Sequence, residues 1–362
     1  MQKYIGMDID DKKIVCCTMQ PNKKEKYQTI KPTIPTMKAF IKEQKSDGSN
    51  VHIVYEISGQ AGYIYDSLFG CADSITVANP SKMTWIYRTA KKNDRLDARK
   101  MAVLLSIGEI PSVHMPSQEV RKWRQMILHR KKIVQKVTQV KNRTRALLKN
   151  EGFREPYNKG SWWKKANRFW MEQLVKEGGG ISSFDLWRMQ LSNLLEELDT
   201  LENQLKRVTD YLDKYLSEKS EADLLLSIPG VGPRTTEAIL AYTDNLNRFD
   251  NYKQYCSYFG LTPKLDESGS TRRIGHISKR GPSAVRWVLC ESAWKVIRKS
   301  KGMREFYERV KCGQDGRKKI AIVAVCRKML CIMRAMLRDN ERFNEKLVGR
   351  ICDKNQQRKN VA

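Results

Sequence analysis

Apolar residues in the first eighty positions fall into short runs with strand periodicity, broken by two stretches with helical spacing. Tyr4 to Ile9, Lys13 to Met19 and Lys26 to Ile30 read as strands, and Asp10-Asp11-Lys12 supplies the charged turn of the first hairpin. Pro35 to Glu43 has helical spacing. Val51 to Tyr55 is a β-branched run that ends at Glu56, Gly62 to Phe69 is helical again, and Ser74 to Ala78 is a further strand. The predicted order is βββαβαβ, followed by a helix that carries Asp94 and Asp97.

Farther along, the pattern turns helical. Glu119 to Lys149 predicts one long helix, in which Ile127, Val134, Val137 and Leu148 can pack one face. Leu191, Leu194, Leu198, Leu201, Leu205, Val208, Leu212 and Tyr215 then step by three and four, as in a coiled-coil seam. That seam suits a helical hairpin within one chain or, as the favoured expectation, pairing with a second chain. Ile228-Pro229-Gly230-Val231-Gly232-Pro233-Arg234-Thr235 is a tight glycine turn opening a helix, as in helix-hairpin-helix elements. Apolar helices follow over Ser283 to Lys299 and Lys318 to Leu337, before a basic tail with Arg350, Lys354, Arg358 and Lys359. The division expected is 1–115 for the α/β domain, 116–182 for a basic helix and Trp-rich insert with a hinge at Gly178-Gly179-Gly180, 183–220 for the coiled coil, 221–340 for a mainly α-helical domain, and 341–362 for the tail.

Charge narrows the partners. Sixty-eight Lys and Arg against 40 Asp and Glu leave +28, an excess that points to a polyanion. The longest uninterrupted apolar run, Ile320 to Cys326, is far below the ~20 residues of a membrane span, and Asp8 breaks any signal-peptide pattern. A soluble cytoplasmic, nucleoid-associated protein is expected. Nine cysteines without a Cys-x-x-Cys spacing, and four histidines far from paired cysteines, argue for buried thiols rather than zinc.

The nucleic-acid contacts expected lie in three places. The long helix offers Arg121, Lys122, Arg124, Arg130, Lys131, Lys132, Lys141, Arg143 and Arg145, with Lys136 and Lys149 beside them and Glu119 as its one acid. Free amides at Gly230 and Gly232 can hold a backbone phosphate, although such a turn can also serve packing alone. The polar stretch after Pro263, read as a loop, carries Arg272, Arg273, Lys279 and Arg280 around Ser268-Gly269. Between them, Trp162-Trp163-Lys164-Lys165 and Phe169-Trp170 suit either base stacking or a small core.

The candidate chemistry is carboxylate chemistry. A ribonuclease-H-like sheet of the RuvC type requires the strand order found here, and in it the first and fourth strands are neighbours. Asp8 and Glu56 would then meet despite their separation in sequence, with Asp94 and Asp97 above them on the next helix. Taken singly, each acid is an ordinary turn or strand-end residue, or a partner of Arg95 or Arg99. Four at matching points of the strand order can hold two Mg²⁺ ions, or Mn²⁺, at a phosphodiester.

These segments together resemble the insertion-sequence transposases that join an N-terminal RuvC-like DEDD domain to a C-terminal serine-bearing domain, relatives of the pilin-gene invertase. The resemblance runs through Tyr4-Ile5-Gly6-Met7-Asp8, Tyr55-Glu56-Ile57-Ser58-Gly59, Asn93-Asp94-Arg95-Leu96-Asp97-Ala98, Ile228-Pro229-Gly230-Val231-Gly232, Phe259-Gly260-Leu261-Thr262-Pro263 with Ser268-Gly269, and Ile277-Ser278-Lys279-Arg280-Gly281. It implies a catalytic tetrad of Asp8, Glu56, Asp94 and Asp97 and a nucleophile at Ser268, with Ser270 and Ser278 nearby. It implies strand exchange between donor and target DNA under a bridge non-coding RNA, through a covalent 5′-phosphoserine linkage, in dimers or tetramers joined by the coiled coil. The competing functions are a junction-resolving, Mg²⁺-dependent endonuclease that uses water, and a nucleic-acid-binding protein without catalysis.

Overall fold

The computed structural model describes residues 1–83, 93–177, 185–268, 271–346 and 348, which form two compact units, Met1–Arg121 and Lys122–Ala362. The expected hinge at Gly178-Gly179-Gly180 and the charged tail from Arg350 onward lie outside the described residues.

In the first unit the elements are β1 (Gln2–Ile9), β2 (Ile14–Met19), β3 (Lys26–Ile30), α1 (Ile34–Lys45), β4 (Asn50–Glu56), α2 (Ala61–Leu68), β5 (Ser74–Ala78) and α3 (Asp94–Ser106). The sheet order is β3-β2-β1-β4-β5, antiparallel through the two hairpins and parallel from β1 to β4 and β5. Thus the βββαβαβ expectation holds element by element. Alternation along the strands divides the sheet's two faces. Ile5, Met7, Ile53 and Tyr55 join Phe40, Ile41 and Ile64 in a core under α1 and α2. Val15 and Cys17 face the other way, against Ala98 and Ala102 of α3.

Gly6 allows α3 to lie so close. A Cβ there would stand 2.0 Å from the Ala98 carbonyl oxygen and 2.9 Å from the Ala102 nitrogen, so any side chain would push helix and strand apart. The helix is also tied at its side. Arg99 of α3 donates to both oxygens of Glu25 at 2.6 and 2.8 Å, and the Tyr27 hydroxyl donates to the same carboxylate at 2.8 Å.

The second unit takes most of α4 (Gln118–Asn150), then α5 (Lys165–Lys176), α6 (Leu186–Ser217), α7 (Glu221–Leu226), α8 (Pro233–Thr243), α9 (Tyr252–Tyr258), β6 (Pro263–Ser268), β7 (Thr271–Ile277), α10 (Ser283–Lys299), α11 (Lys301–Lys311) and α12 (Lys318–Asp339). The leucine seam of α6 is covered from within the chain. Leu191, Leu194, Leu198 and Leu201 pack with Ile133, Val137, Val140 and Leu148 of α4, while Lys141–Glu202 at 2.7 Å and the Arg143–Glu197 pair border the seam. Within the chain, α4 and α6 thus form a hairpin on this apolar stripe, one of the two arrangements the seam suits.

The Trp-rich segment resolves as core. Phe153, Trp162, Trp163, Trp170 and Trp187 pack against the α4–α5–α6 cluster, and buried Asn167 ties the preceding loop by donating to the Asn158 and Ser161 carbonyls at 2.9 and 2.8 Å. A larger core joins α7 through α12.

A candidate carboxylate centre and a clasped hairpin

Asp8 and Glu56 sit one residue beyond the pair Met7↔Tyr55, at the C-terminal ends of two neighbouring parallel strands. Because Met7 and Tyr55 fill the core under α1 and α2, alternation turns Asp8 and Glu56 to the opposite face. That is the α3 face, and α3 opens with Asp94 and Asp97 in its first turn. The Asn93 side chain caps this helix by accepting from the Arg95 amide at 3.0 Å, which fixes where the two acids fall. Acids in a first turn are also favoured by the helix dipole.

Two lysines reach into this end of the sheet. Lys13 Nζ stands 2.8 Å from Asp94 Oδ2, and Lys100 Nζ stands 3.9 Å from Asp97 Oδ1. The bond to Asp94 raises the Lys13 ammonium above its ordinary value, and Asp10 and Asp8 add to the effect. The field of three acids thus converges on one cation. Among the described residues, no three His, Cys, Asp or Glu side chains stand together as a metal-binding group. Still, the donor set of Asp8, Glu56, Asp94 and Asp97 is made only of carboxylates, which suits a hard divalent cation such as Mg²⁺.

The structure corrects the expectation of a polar loop after Pro263. Residues Pro263–Ser268 and Thr271–Ile277 form a two-stranded antiparallel hairpin, in which Ser268 pairs with Thr271 beside the turn. The side chains of Ser268 and Arg272, and the whole of Ser270, lie outside the described residues. At its base, the hairpin is clasped. Ser278 donates its amide to the Thr262 carbonyl at 2.8 Å, and the Lys279 amide donates to the Gly260 carbonyl at 3.2 Å. Gly260 has φ +71° and Gly281 φ +85°; a Cβ on either would come within about 2 Å of a carbonyl oxygen, that of Arg280 or of Tyr258. The spacing between Phe259-Gly260-Leu261 and Lys279-Arg280-Gly281 therefore records two backbones packed against each other. Arg286 completes the clasp by donating to the carbonyls of Phe259 and Gly281 at 3.2 and 3.0 Å.

The basic residues of α4 separate into two groups. Arg130 is buried and pairs with Glu237 of α8, which Arg234 also holds at 3.1 Å. Arg124 donates to the Ala241 carbonyl at 2.7 Å, close to the end of α8, and its guanidinium lies over the Tyr242 ring. Arg121 pairs with Asp66, Lys141 with Glu202 and Arg143 with Glu197. Exposed Lys122, Lys132 and Arg145, with half-buried Lys131, remain on the surface of the helix. Several of the residues expected to contact phosphates are thus engaged with partners inside the protein. Arg130 and Arg124 fasten the helix that begins at the Gly232 turn.

Gly232 is the N-cap of α8, and Gly230, at φ +100°, lies against the α10 backbone, where a Cβ would meet the Val296 nitrogen at 2.7 Å. Gly230 thus serves packing, whereas a Cβ on Gly232 would meet nothing within 4 Å. Arg273, Lys279 and Arg280 belong to the hairpin and its clasp.

Two family models match the chain. A transposase model of the DEDD type matches residues 5–152, and a model described as the transposase IS116/IS110/IS902 family matches residues 222–308. Among individual proteins, the transposase for insertion sequence element IS1111A of Coxiella burnetii is 24% identical over 247 residues, covering 68% of this chain and 66% of its own length. A probable family 20 transposase of Pseudomonas aeruginosa is 31% identical over 108 residues, 30% of this chain and 32% of that protein. The pilin gene-inverting protein of Moraxella lacunata is 32% identical over 129 residues, 35% of this chain and 39% of its own. The alignments thus span less than two thirds of the first two relatives' lengths.

Proposed function

Since the chain belongs to the IS116/IS110/IS902 family of transposases, we propose that it recombines DNA, cutting and rejoining strands as an insertion sequence moves. The observation that carries this reading is the position of Asp8 and Glu56 on one face at the ends of adjacent strands, under the helix that begins with Asp94 and Asp97. A divalent cation held by those four carboxylates would neutralise a phosphodiester and make an attacking hydroxyl more acidic.

In the proposed reaction, the Ser268 hydroxyl attacks the phosphorus. The bond to the 3′-oxygen breaks, that oxygen takes a proton and leaves as a free 3′-OH, and the 5′-phosphate remains esterified to the serine. A 3′-OH from another strand then attacks the ester and restores the serine hydroxyl. One phosphodiester is exchanged for another, and no nucleotide hydrolysis is needed. The hairpin supports the assignment: Ser268 lies beside its turn, and the clasp of Gly260 and Gly281 fixes its base. Arg273, Lys279 and Arg280 would offset phosphate charge there, and the exposed bases of α4 would hold more distant phosphates.

Guidance by a bridge RNA and assembly into dimers or tetramers belong to the same proposal, as the resemblance implies. The helices α4 and α6, which pack on each other within the chain, would carry that assembly as the coiled coil. Replacing Ser268 with Ala is expected to abolish strand exchange and the covalent protein–DNA adduct while DNA binding persists. An adduct that survives Ser268→Ala excludes this serine, and full cleavage by Asp8→Asn excludes the carboxylate centre. Cleavage retained in Ser268→Ala without any adduct would favour the water-using endonuclease. Sequencing RNA that copurifies with an active preparation tests guidance, which an RNA-free active protein would rule out.

A further inference from the structure

Helix α10 buries Val285, Leu289, Ala293 and Val296 in the core of the second unit and leaves its opposite face open. On that face stand two tryptophans, Trp287 and Trp294, 50% and 42% exposed. Seven residues along a helix are about 10.5 Å and about 20° short of two full turns, so the two indoles lie on one line. Arg298 extends the line and donates through Nε to the Trp294 carbonyl at 3.1 Å. Exposed Lys295 stands about 100° round the helix from Trp294, at one edge of this face, and Glu291 lies between the indoles. Trp294 is braced edge-on against Tyr307 of α11, with ring centroids 5.8 Å apart.

The glycine turn packs on the neighbouring flank of the helix, toward Lys295 and Val296. A Cβ on Gly230 would come within 2.8 Å of the Lys295 carbonyl carbon, so the backbone of that turn runs directly beside the lysine. Two open indoles, with Arg298 and Lys295 against Glu291, are therefore gathered on one strip.

We infer that this strip receives an unpaired nucleic-acid strand, whose bases stack on Trp287 and Trp294 while its phosphates meet Lys295 and Arg298. Aromatic faces serve any base, which suits a strand bound without regard to sequence. Charge favours this occupant: a strip with Lys295 and Arg298 against one acid, on a chain carrying +28, suits a polyanion. The inference rests on the DNA-handling reading in one respect, since strand exchange is what would expose single strands.

The test uses the full-length protein, a fluorescein-labelled single-stranded oligodeoxynucleotide and a duplex of the same sequence. Trp287→Ala and Trp294→Ala are each expected to weaken single-strand binding roughly tenfold, with duplex binding little changed. The dependence of affinity on salt should keep its slope in these variants. By contrast, Lys295→Gln with Arg298→Gln should lower that slope by about 0.7 for each lost contact. Single-strand affinity equal to wild type in the double alanine variant overturns the inference. So does loss of self-association with binding intact, which would assign the face to a second copy. A further measurement avoids dependence on the alanine variants: quenching of tryptophan fluorescence by the oligonucleotide should largely vanish in Trp287→Phe/Trp294→Phe, and its persistence is equally fatal. Asp8→Asn serves as the control, because it should lose cleavage yet keep the strand bound, which separates failure here from failure of the proposed reaction.

Discussion

Arg130 offers the sharpest test of which basic residues of α4 serve the fold and which serve nucleic acid. Its guanidinium is buried and faces Glu237, whose side chain is fully buried and also held by Arg234. Arg234 in turn pairs with Asp213 of α6, so the cluster joins α4, α6 and α8. Removing one member of a buried pair leaves the other desolvated without full compensation, at a cost of about 3–5 kcal/mol. Because Arg234 still reaches Glu237 in Arg130→Ala, the lower end, about 3 kcal/mol, is expected. In a unit of this size, each kcal/mol shifts the melting temperature by roughly 2–4 °C, so the transition of the second unit should fall by about 6–12 °C. Differential scanning calorimetry reads this directly. The companion variant Arg130→Met/Glu237→Leu removes both charges from the buried site and should recover most of the loss, since apolar replacements of a buried pair are often neutral or better. Nucleic-acid affinity at a temperature where both proteins are folded should be unchanged, and so should its salt slope. A melting temperature within 2 °C of wild type for Arg130→Ala, or a salt slope lowered by about 0.9 as for a lost phosphate contact, would refute the structural role.

Three more outcomes follow from the packing. Gly6→Ala should destabilise the first unit and impair DNA cleavage together, because the methyl collides with the Ala98 carbonyl and lifts α3, with Asp94 and Asp97, off the sheet; calorimetry and a plasmid-nicking assay check both halves, and a fully stable, active variant would contradict the close approach. Leu198→Ala should cost about 2–5 kcal/mol of stability without altering the oligomeric state measured by light scattering, as its seam faces α4 of the same chain. Glu25 is held below its ordinary carboxyl value, first by the Tyr27 hydroxyl and then by Arg99. A depressed carboxyl contributes stability above its unfolded value and loses it as pH falls through the folded one. The melting advantage of wild type over Glu25→Gln should accordingly be full above about pH 4.5 and shrink below it. An advantage that stays constant down to pH 3 would rule out this linkage.

The legibility of the two units differs for a physical reason. In the first, β1, β2 and β4 are buried along most of their length, so apolar runs and β-branching print the element order into the sequence, and the order already determines that β1 and β4 are neighbours. Asp8 and Glu56 could therefore be paired before any coordinates. The β6–β7 hairpin gave no such signal, because a two-stranded ribbon with Leu265 56% exposed needs no apolar face; charge disguised it as a loop.

What the sequence by itself determined is the local periodicity: the strand order, the long helices and the cationic excess. Tertiary structure alone decided what each periodic face meets. Within the chain the α6 seam packs on α4, the clustered tryptophans near α5 pack against a core while Trp287 and Trp294 stay outside, and Arg130 is drawn inward to Glu237. A stripe of leucines or a run of arginines specifies that a face is apolar or charged, but burial is a property of whatever surface arrives to cover it. That surface comes from residues tens of positions away, and only the folded chain brings them together.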